Sequence, residues 1–195
     1  MKAIFFLTCV VLIVACTTSK PVNISATAKN NQQQFWDQLE KICGKSFAGE
    51  VVEAPANDTT FKNKLLVMHV RSCNENVIRV PFMVGENRSR TWVFSKENEM
   101  LKLKHDHRHS DGTEDSITQY GGITTNTGLS SLQVFPADQF TTQLLPAAAT
   151  NVWWVELVEG KYFTYNLRRM GTDRWFSVRF DLSKEIETPP APWGF

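Results

Sequence analysis

The feature that most constrains the fold of this chain is the alternation of apolar and polar side chains over successive short segments. Successive side chains of a β-strand point to opposite faces, so a repeat of two gives a strand one apolar face. Segment 77–84 shows the pattern clearly. In this and the other segments, every second residue is apolar. These residues are Leu66, Met68, Val70, Ile78, Val80, Phe82, Val84, Trp92, Phe94, Trp153, Val155, Leu157, Phe163, Tyr165, Leu167, Phe176, Val178, Phe180 and Leu182. Strands with one apolar face indicate an antiparallel sheet that covers a core.

Turn signals such as "VGENRS", "SDGTED" and "MGTD" separate these segments. Ahead of them, Phe35, Trp36, Leu39, Ile42 and Cys43 recur at helical spacing before Gly44, which predicts one N-terminal helix. A short second helix is predicted over 138–145. The predicted strands are 46–54, 65–73, 77–84, 91–96, 100–109, 116–124, 129–135, 152–158, 162–169 and 174–182.

Consecutive hairpins with one apolar face bury that face, and lose their exposed edges, when the sheet closes on itself. We therefore predict a mainly β fold. Its predicted form is an antiparallel up-and-down barrel of about eight to ten strands, the size class of lipocalin-type carriers, with the N-terminal helix at one end. The alternative is a two-sheet β-sandwich, because a period-2 pattern does not fix closure.

The N-terminus predicts export. Lys2 precedes an apolar run over 3–15, which is typical of a signal peptide. "IVAC" at 13–16 resembles the lipoprotein signal of bacteria, and this resemblance implies that Cys16 is lipidated and becomes the first residue of the mature chain. Thr17 and Thr18 follow it with no aspartate, which in such lipoproteins implies the outer rather than the inner membrane. The predicted location is the bacterial cell envelope, with the lipid anchor holding the protein to the membrane.

Four units follow from this interpretation: a signal peptide (1–15), a lipidated cysteine with a polar tether (16–31), a β-barrel domain (32–188) and a proline-rich tail (189–195). Cys43 and Cys73 are then the cysteines left in the domain. We expect them to form a disulfide in an oxidising envelope, and two buried free thiols are the alternative.

Composition restricts the function. The formal net charge is +1 with 42% hydrophobic residues, and no basic stripe is present, so we expect no nucleic-acid partner. No Gly-x-Ser-x-Gly or His-Glu-x-x-His motif occurs, so the sequence does not favour an enzyme.

The stretch "KLKHDHRHSDGTED" carries the residues with the most chemical potential. His105, His107 and His109 share a strand face with Leu101 and Leu103, which places the imidazoles at the mouth of a barrel. They form a candidate metal site, with Glu114, Asp115 or His69 as a further ligand. The interpretation that we favour is a strand end without a ligand, for which such residues are typical, with Asp106 and Arg108 on a solvent-exposed face. We expect no cofactor, and a divalent metal ion is the alternative.

Further candidates for ligand binding lie nearby. Arg88 and Arg90 in "GENRSRTW" form a candidate anion clamp at the rim, although arginines in a hairpin turn are often solvent-exposed. Tyr120 completes the candidate ligand-binding set with His105 and His107. Gly121 and Gly122 in "QYGGI" indicate a bulge or bend at a barrel corner.

The blocks "CGKSFAGEVV", "LLVMHVRSC", "RSRTWVF" and "LKHDHRHSDGTEDSITQYGG" resemble a family of bacterial secreted or lipid-anchored proteins with no established activity. The resemblance implies that the blocks belong to one domain and supplies no catalytic residues. The leading hypothesis is a non-catalytic envelope lipoprotein that binds a small apolar ligand in its barrel. The alternatives are a structural or interaction protein of the envelope, whose protein partner the sequence does not name, and a metal-binding protein or metal-dependent enzyme.

Overall fold

The computed structural model of the protein describes residues 30–195. The predicted signal peptide, the predicted lipidation site Cys16 and most of the predicted tether therefore lie outside the described residues. Within this part of the chain, no helix has the length and apolarity that a membrane crossing requires.

The first helix, α1 (Asn31–Lys41), forms where the helical spacing of apolar residues predicts it. The side chain of Asn30 caps its N-terminus by accepting a hydrogen bond from the backbone N–H of Gln33 at 2.8 Å. Phe35, Trp36 and Leu39 form its buried face. Shortly after the helix ends, Gly44 adopts a φ of 84° and turns the chain into the first strand.

Eleven strands follow α1, interrupted by a short helix, α2 (Gln139–Leu144), and one turn of 3-10 helix over Pro146–Ala148. The strands are β1 (Ser46–Glu53), β2 (Leu66–His69), β3 (Ser72–Cys73), β4 (Val77–Val84), β5 (Asn87–Glu97), β6 (Met100–His107), β7 (Tyr120–Ile123), β8 (Leu132–Pro136), β9 (Asn151–Val158), β10 (Tyr162–Arg169) and β11 (Trp175–Ile186).

Several of the predicted strands need correction. Strands β5 and β11 extend beyond the predicted segments 91–96 and 174–182, and β8 begins three residues later than the predicted 129–135. The segment 65–73 is not continuous: the chain breaks between β2 and β3, where the backbone N–H of Val70 donates to Lys45 and that of Arg71 to Arg79. The segment 116–124 is mostly a turn, because the carboxylate of Asp115 accepts the backbone N–H of Ile117 and only Tyr120–Ile123 pairs with β6. The segment 100–109 ends at His107.

The strands form one sheet in the order β7-β6-β5-β4-β2-β1-β11-β10-β9-β8, and β3 adds to the side of β4. Every pairing is antiparallel. The two outer strands approach each other through a bridge between Gly122 and Ala137. The sheet is therefore a nearly closed barrel, which confirms the predicted fold class over the sandwich.

The glycine pair permits this closure. A Cβ atom on Gly122 would overlap the carbonyl group of Pro136, and one on Gly121 would overlap the carbonyl of Leu103. Only glycine lets the backbones of the neighbouring strands come this close. The prediction of a barrel corner at Gly121-Gly122 thus has a direct steric explanation.

Large side chains fill most of the barrel interior. The fully buried ones include Trp36, Trp153, Phe35, Phe47, Phe94, Phe135, Phe163 and Phe180. Helix α1 covers one end of the barrel, where the ring of Phe35 lies 6.5 Å from that of Phe94. The Cys43–Cys73 disulfide, with a Cα–Cα distance of 6.2 Å, ties the end of α1 to β3 and confirms the predicted pairing.

Candidate ligand-binding site

A cavity of about 200 Å³ opens at the end of the barrel opposite α1. At this end β4, β6 and β10 finish and β5, β7 and β11 begin. The loop between β1 and β2 adds the remaining wall. The cavity is lined by Pro55, Asp58, Thr60, Phe61, Phe82, Arg90, Thr91, Trp92, His105, His107, Tyr120, Tyr165, Leu167, Arg174 and Phe176.

Stacked aromatic rings form the apolar wall of the cavity. Trp92 stands at its centre, with ring centroids 4.7 Å from Phe82 and 4.5 Å from Tyr165. Phe61 reaches in from the β1–β2 loop and lies 4.3 Å from Phe176. Aromatic rings bury large areas at little conformational cost, so this wall suits a flat apolar group.

The loop that carries Phe61 is held in place by Asp58. The carboxylate of Asp58 accepts hydrogen bonds from the backbone N–H groups of Phe61 and Lys62, each at 3.0 Å, and of Thr60 at 3.3 Å. Burial acts to raise the pKa of Asp58, but these hydrogen bonds hold the pKa below its usual value. The carboxylate thus fixes the loop over the mouth of the cavity.

His105 forms part of the cavity wall with both of its ring nitrogens engaged. Nδ1 lies 3.0 Å from the carbonyl oxygen of Tyr120, and Nε2 lies 2.7 Å from the hydroxyl of Tyr165. Because a carbonyl can only accept, Nδ1 carries the proton and Nε2 accepts from the tyrosine. Burial lowers the pKa of His105 to about 3. The ring also stacks on Tyr120, with centroids 4.5 Å apart.

His107 and Tyr120 follow along the same wall toward the mouth. Nε2 of His107 lies 3.2 Å from the Tyr120 hydroxyl. Burial, assisted by the positive charge of Arg90, lowers the pKa of His107 to about 4. Burial raises the pKa of Tyr120 to about 12. Near neutral pH the imidazoles of His105 and His107 are therefore uncharged, and the Tyr120 hydroxyl keeps its proton. His107 and Tyr120 can thus form hydrogen bonds as neutral groups.

Arg90 and Arg174 bring positive charge to the cavity. The guanidinium of Arg90 donates to Oδ1 of Asn87 at 3.0 Å and lies 5.6 Å from the ring centroid of Phe61. Burial lowers the pKa of Arg90. Arg174, at the start of β11, is exposed at the rim.

Other predicted site residues have positions away from the cavity lining. The guanidinium of Arg88 donates to the carbonyl of Ala191 at 2.8 Å, and so binds the C-terminal tail. His109 is exposed in the turn after β6.

The prediction that Asp106 lies on a solvent-exposed face is wrong. Its side chain is 5% exposed and pairs with Arg108 at 3.1 Å. The ring of Phe195 in turn covers Arg108 at 4.9 Å.

The candidate metal site gains no support from this arrangement. Across residues 30–195, no three His, Cys, Asp or Glu side chains come close enough together to hold a metal ion. Among the further ligands considered, Glu114 pairs with Arg108 at 3.1 Å, and Nδ1 of His69 lies 2.8 Å from the hydroxyl of Ser46. The metal hypothesis remains an untested prediction without a set of ligands in this part of the chain.

The sequence pattern identified His105, His107, Arg90 and Tyr120, which the structure brings together at one cavity. It missed Phe61, because a lone aromatic residue in a polar loop carries no periodic signal. It also missed the cavity roles of Trp92, Tyr165 and Arg174. Trp92 and Tyr165 sit on the inward parity of their strands, so alternation places them in the interior without showing which end of the barrel stays open.

Comparisons with protein-family models, with curated proteins and with solved structures found no match for this chain.

Proposed function

We propose that this protein is a non-catalytic binding protein of the cell envelope that holds one small, largely apolar molecule at the open end of its barrel. The observation that carries the proposal is the cavity of about 200 Å³ among Phe61, Phe82, Trp92 and Phe176. An apolar cavity of about 150 Å³ is large enough to bind benzene. A single ring with a small substituent is therefore the size of ligand that fits.

The chemistry of the polar wall supports binding rather than catalysis. A general acid or base works best when its pKa lies near the operating pH. The pKa of His105 is about 3 and that of His107 about 4, whereas that of Tyr120 is about 12. These groups therefore do not exchange protons near neutral pH. His107 and the Tyr120 hydroxyl can orient a ligand by hydrogen bonding, whereas both ring nitrogens of His105 already have partners in the protein.

The envelope location rests on the N-terminal sequence and on the disulfide. Cys43 and Cys73 are bonded, which is typical of proteins that fold in an oxidising compartment. We infer that Cys16 is acylated and that the segment between Cys16 and the N-cap of α1 tethers the barrel to the membrane, the outer membrane being favoured. Mass spectrometry of the mature N-terminus tests this: an unmodified chain that begins before Cys16 would overturn the anchor and leave the cavity proposal intact.

The binding proposal is tested by titration calorimetry of the purified protein with compact neutral ring compounds such as benzamide and indole. Leu167→Phe places extra volume in the cavity wall and should abolish binding. Val134→Phe adds the same ring on the partly exposed outer face and is the matched control. Binding of no ring compound by the wild-type protein, or equal binding by the Leu167→Phe variant, would refute the proposal.

A further inference from the structure

We propose that the ligand of this cavity is a compact organic anion, in the simplest case an aromatic carboxylate, held by Arg90 and Arg174. This inference rests on the proposed binding function and narrows its ligand class. The anchoring groups are guanidiniums that have no carboxylate partner within the described residues, beside an aromatic wall sized for one ring.

Arg90 gives the strongest support for an anion site, because its guanidinium is a half-buried positive charge whose hydrogen-bond partners are neutral. Its guanidinium donates to Oδ1 of Asn87 at 3.0 Å and to Oγ of Ser89 at 3.4 Å. Among residues 30–195, the ion pairs involve other side chains. A charge withdrawn from water without an opposite charge costs free energy, and a bound anion would offset that cost.

Arg174 brings a second positive charge to the same place. Both arginines act on the Tyr120 hydroxyl, whose pKa burial raises and each guanidinium lowers. Their fields therefore converge on the part of the cavity that Tyr120 lines. Guanidinium forks bind carboxylates with two parallel hydrogen bonds, which fixes both the position and the plane of the anion.

The nearby carboxylates are already engaged by other groups. Asp58 accepts three backbone N–H groups of its own loop. Asp115 accepts the backbone N–H of Ile117 at 2.9 Å and the hydroxyl of Ser116 at 3.3 Å. Asp106 pairs with Arg108. None of these carboxylates forms an ion pair with Arg90, which leaves the guanidinium available to a ligand.

The aromatic wall selects the rest of the ligand. Trp92 and Tyr165 stack 4.5 Å apart, and Phe61 stacks near Phe82 at 5.9 Å. A flat ring placed beside these faces makes offset stacking contacts, with its carboxylate directed to the arginines. The volume of about 200 Å³ leaves room for one such ring and excludes a long acyl chain.

The test compares benzoate with benzamide, its neutral isostere, by titration calorimetry of the purified protein. Benzoate should bind about tenfold or more tightly, because charge-assisted hydrogen bonds are stronger than neutral ones. Arg90→Gln and Arg174→Gln should each remove most of that preference, so that the ratio of the benzoate to the benzamide affinity falls toward one in each variant. Arg71→Gln is the matched control, since it removes one exposed positive charge at the α1 end of the barrel.

Failure of the anion inference can be distinguished from failure of the binding function. If benzamide binds as tightly as benzoate, or if both arginine variants keep the preference, the anion inference is wrong and the binding function stands. If neither probe nor any neutral ring compound binds, both fall together. Should Arg90→Gln fail to fold, as judged by circular dichroism, the exposed position of Arg174 makes Arg174→Gln sufficient for the test.

Discussion

Nε2 of His105 accepts a hydrogen bond from the hydroxyl of Tyr165 across the barrel interior, at 2.7 Å. The two residues belong to strands β6 and β10, which lie on opposite sides of the sheet order. The bond therefore joins two walls of the barrel at the cavity, which both residues line. It also consumes the lone pair that would make His105 a base or a metal ligand.

Tyr165→Phe should destabilise the protein by about 1 to 3 kcal/mol, because it leaves the buried Nε2 of His105 without a partner. The measurement is the free energy of unfolding in urea at neutral pH. Tyr162→Phe is the matched control, since the Tyr162 ring stacks on Arg179 at the outer surface. An equal loss in the two variants, or none in Tyr165→Phe, would contradict a stabilising role for the bond.

Acid should destabilise the fold over two overlapping pH ranges, one set by histidines and a lower one set by aspartates. His105 and His107 have pKa values of about 3 and about 4 in the folded chain, below the usual value of 6.5. Between pH 6.5 and about 4 the unfolded chain binds protons that the folded chain does not, so stability falls as the pH falls. Each such proton contributes up to about 1.4 kcal/mol per pH unit.

Urea unfolding at several pH values between 7 and 4 measures this slope. His107→Gln keeps an acceptor for the Tyr120 hydroxyl and removes one titrating group, so its slope should be shallower. Asp58 and Asp138, whose pKa values are lowered in the folded chain, contribute stability that is lost only as the pH falls below about 4. A wild-type stability that stays constant from pH 6.5 to 4.5 would rule out the histidine contribution.

The Cys43–Cys73 disulfide should stabilise the barrel mainly through the unfolded chain. It closes a sequence separation of 30 residues, and the loop-closure model gives about 3 to 4 kcal/mol for a loop of that size. We expect the Cys43→Ser/Cys73→Ser variant to unfold at correspondingly lower urea concentration. Ring-compound binding at low temperature should persist, because the bond lies at the α1 end and not at the cavity.

A loss of ligand binding in a folded Cys43→Ser/Cys73→Ser variant would show instead that the two ends of the barrel are coupled. The single variant Cys73→Ser is a useful comparison. It leaves Cys43 as a free thiol, and it should match the double variant in stability when the loop-closure explanation is correct.

The alternation of side chains predicted the barrel and most of its strands, because side-chain direction in a strand depends only on sequence position. It could not predict where hydrogen bonding ends a strand, as at Val70, since that end depends on a contact with Lys45 in a distant segment. The predicted solvent exposure of Asp106 was wrong for the same reason. The C-terminal tail covers that face through Arg88, which contacts Ala191, and through Arg108, which packs on Phe195.

The candidate site was only partly predictable. The inward parity of His105 and His107 follows from the sequence, but their hydrogen-bond partners come from β7 and β10. Whether an imidazole is a ligand, a base or a structural group depends on those partners. The interior volume is likewise a property of packing, since it is what the large side chains and α1 leave unfilled at one end.

Phe61 should control how long a ligand stays in the cavity. Its ring covers the mouth between Phe82 and Phe176, so Phe61→Ala removes stacking contacts and opens a path to solvent. We expect affinity for ring compounds to fall about tenfold, mostly through faster dissociation. Protein stability should also fall, because Phe61 is partly buried against the core. Stopped-flow measurement of dissociation tests this, and Phe140→Ala, which removes a half-exposed ring from α2, is the control.

Asp58→Ala provides an independent test of the same loop, because it frees the backbone N–H groups that hold Phe61 in place without removing the ring. Its dissociation rate should rise toward that of Phe61→Ala. Asp58→Asn retains one acceptor oxygen and should lie between the wild type and Asp58→Ala. If dissociation is unchanged in both Phe61→Ala and Asp58→Ala, the ligand does not pass or contact this loop, and the cavity must be reached by another route.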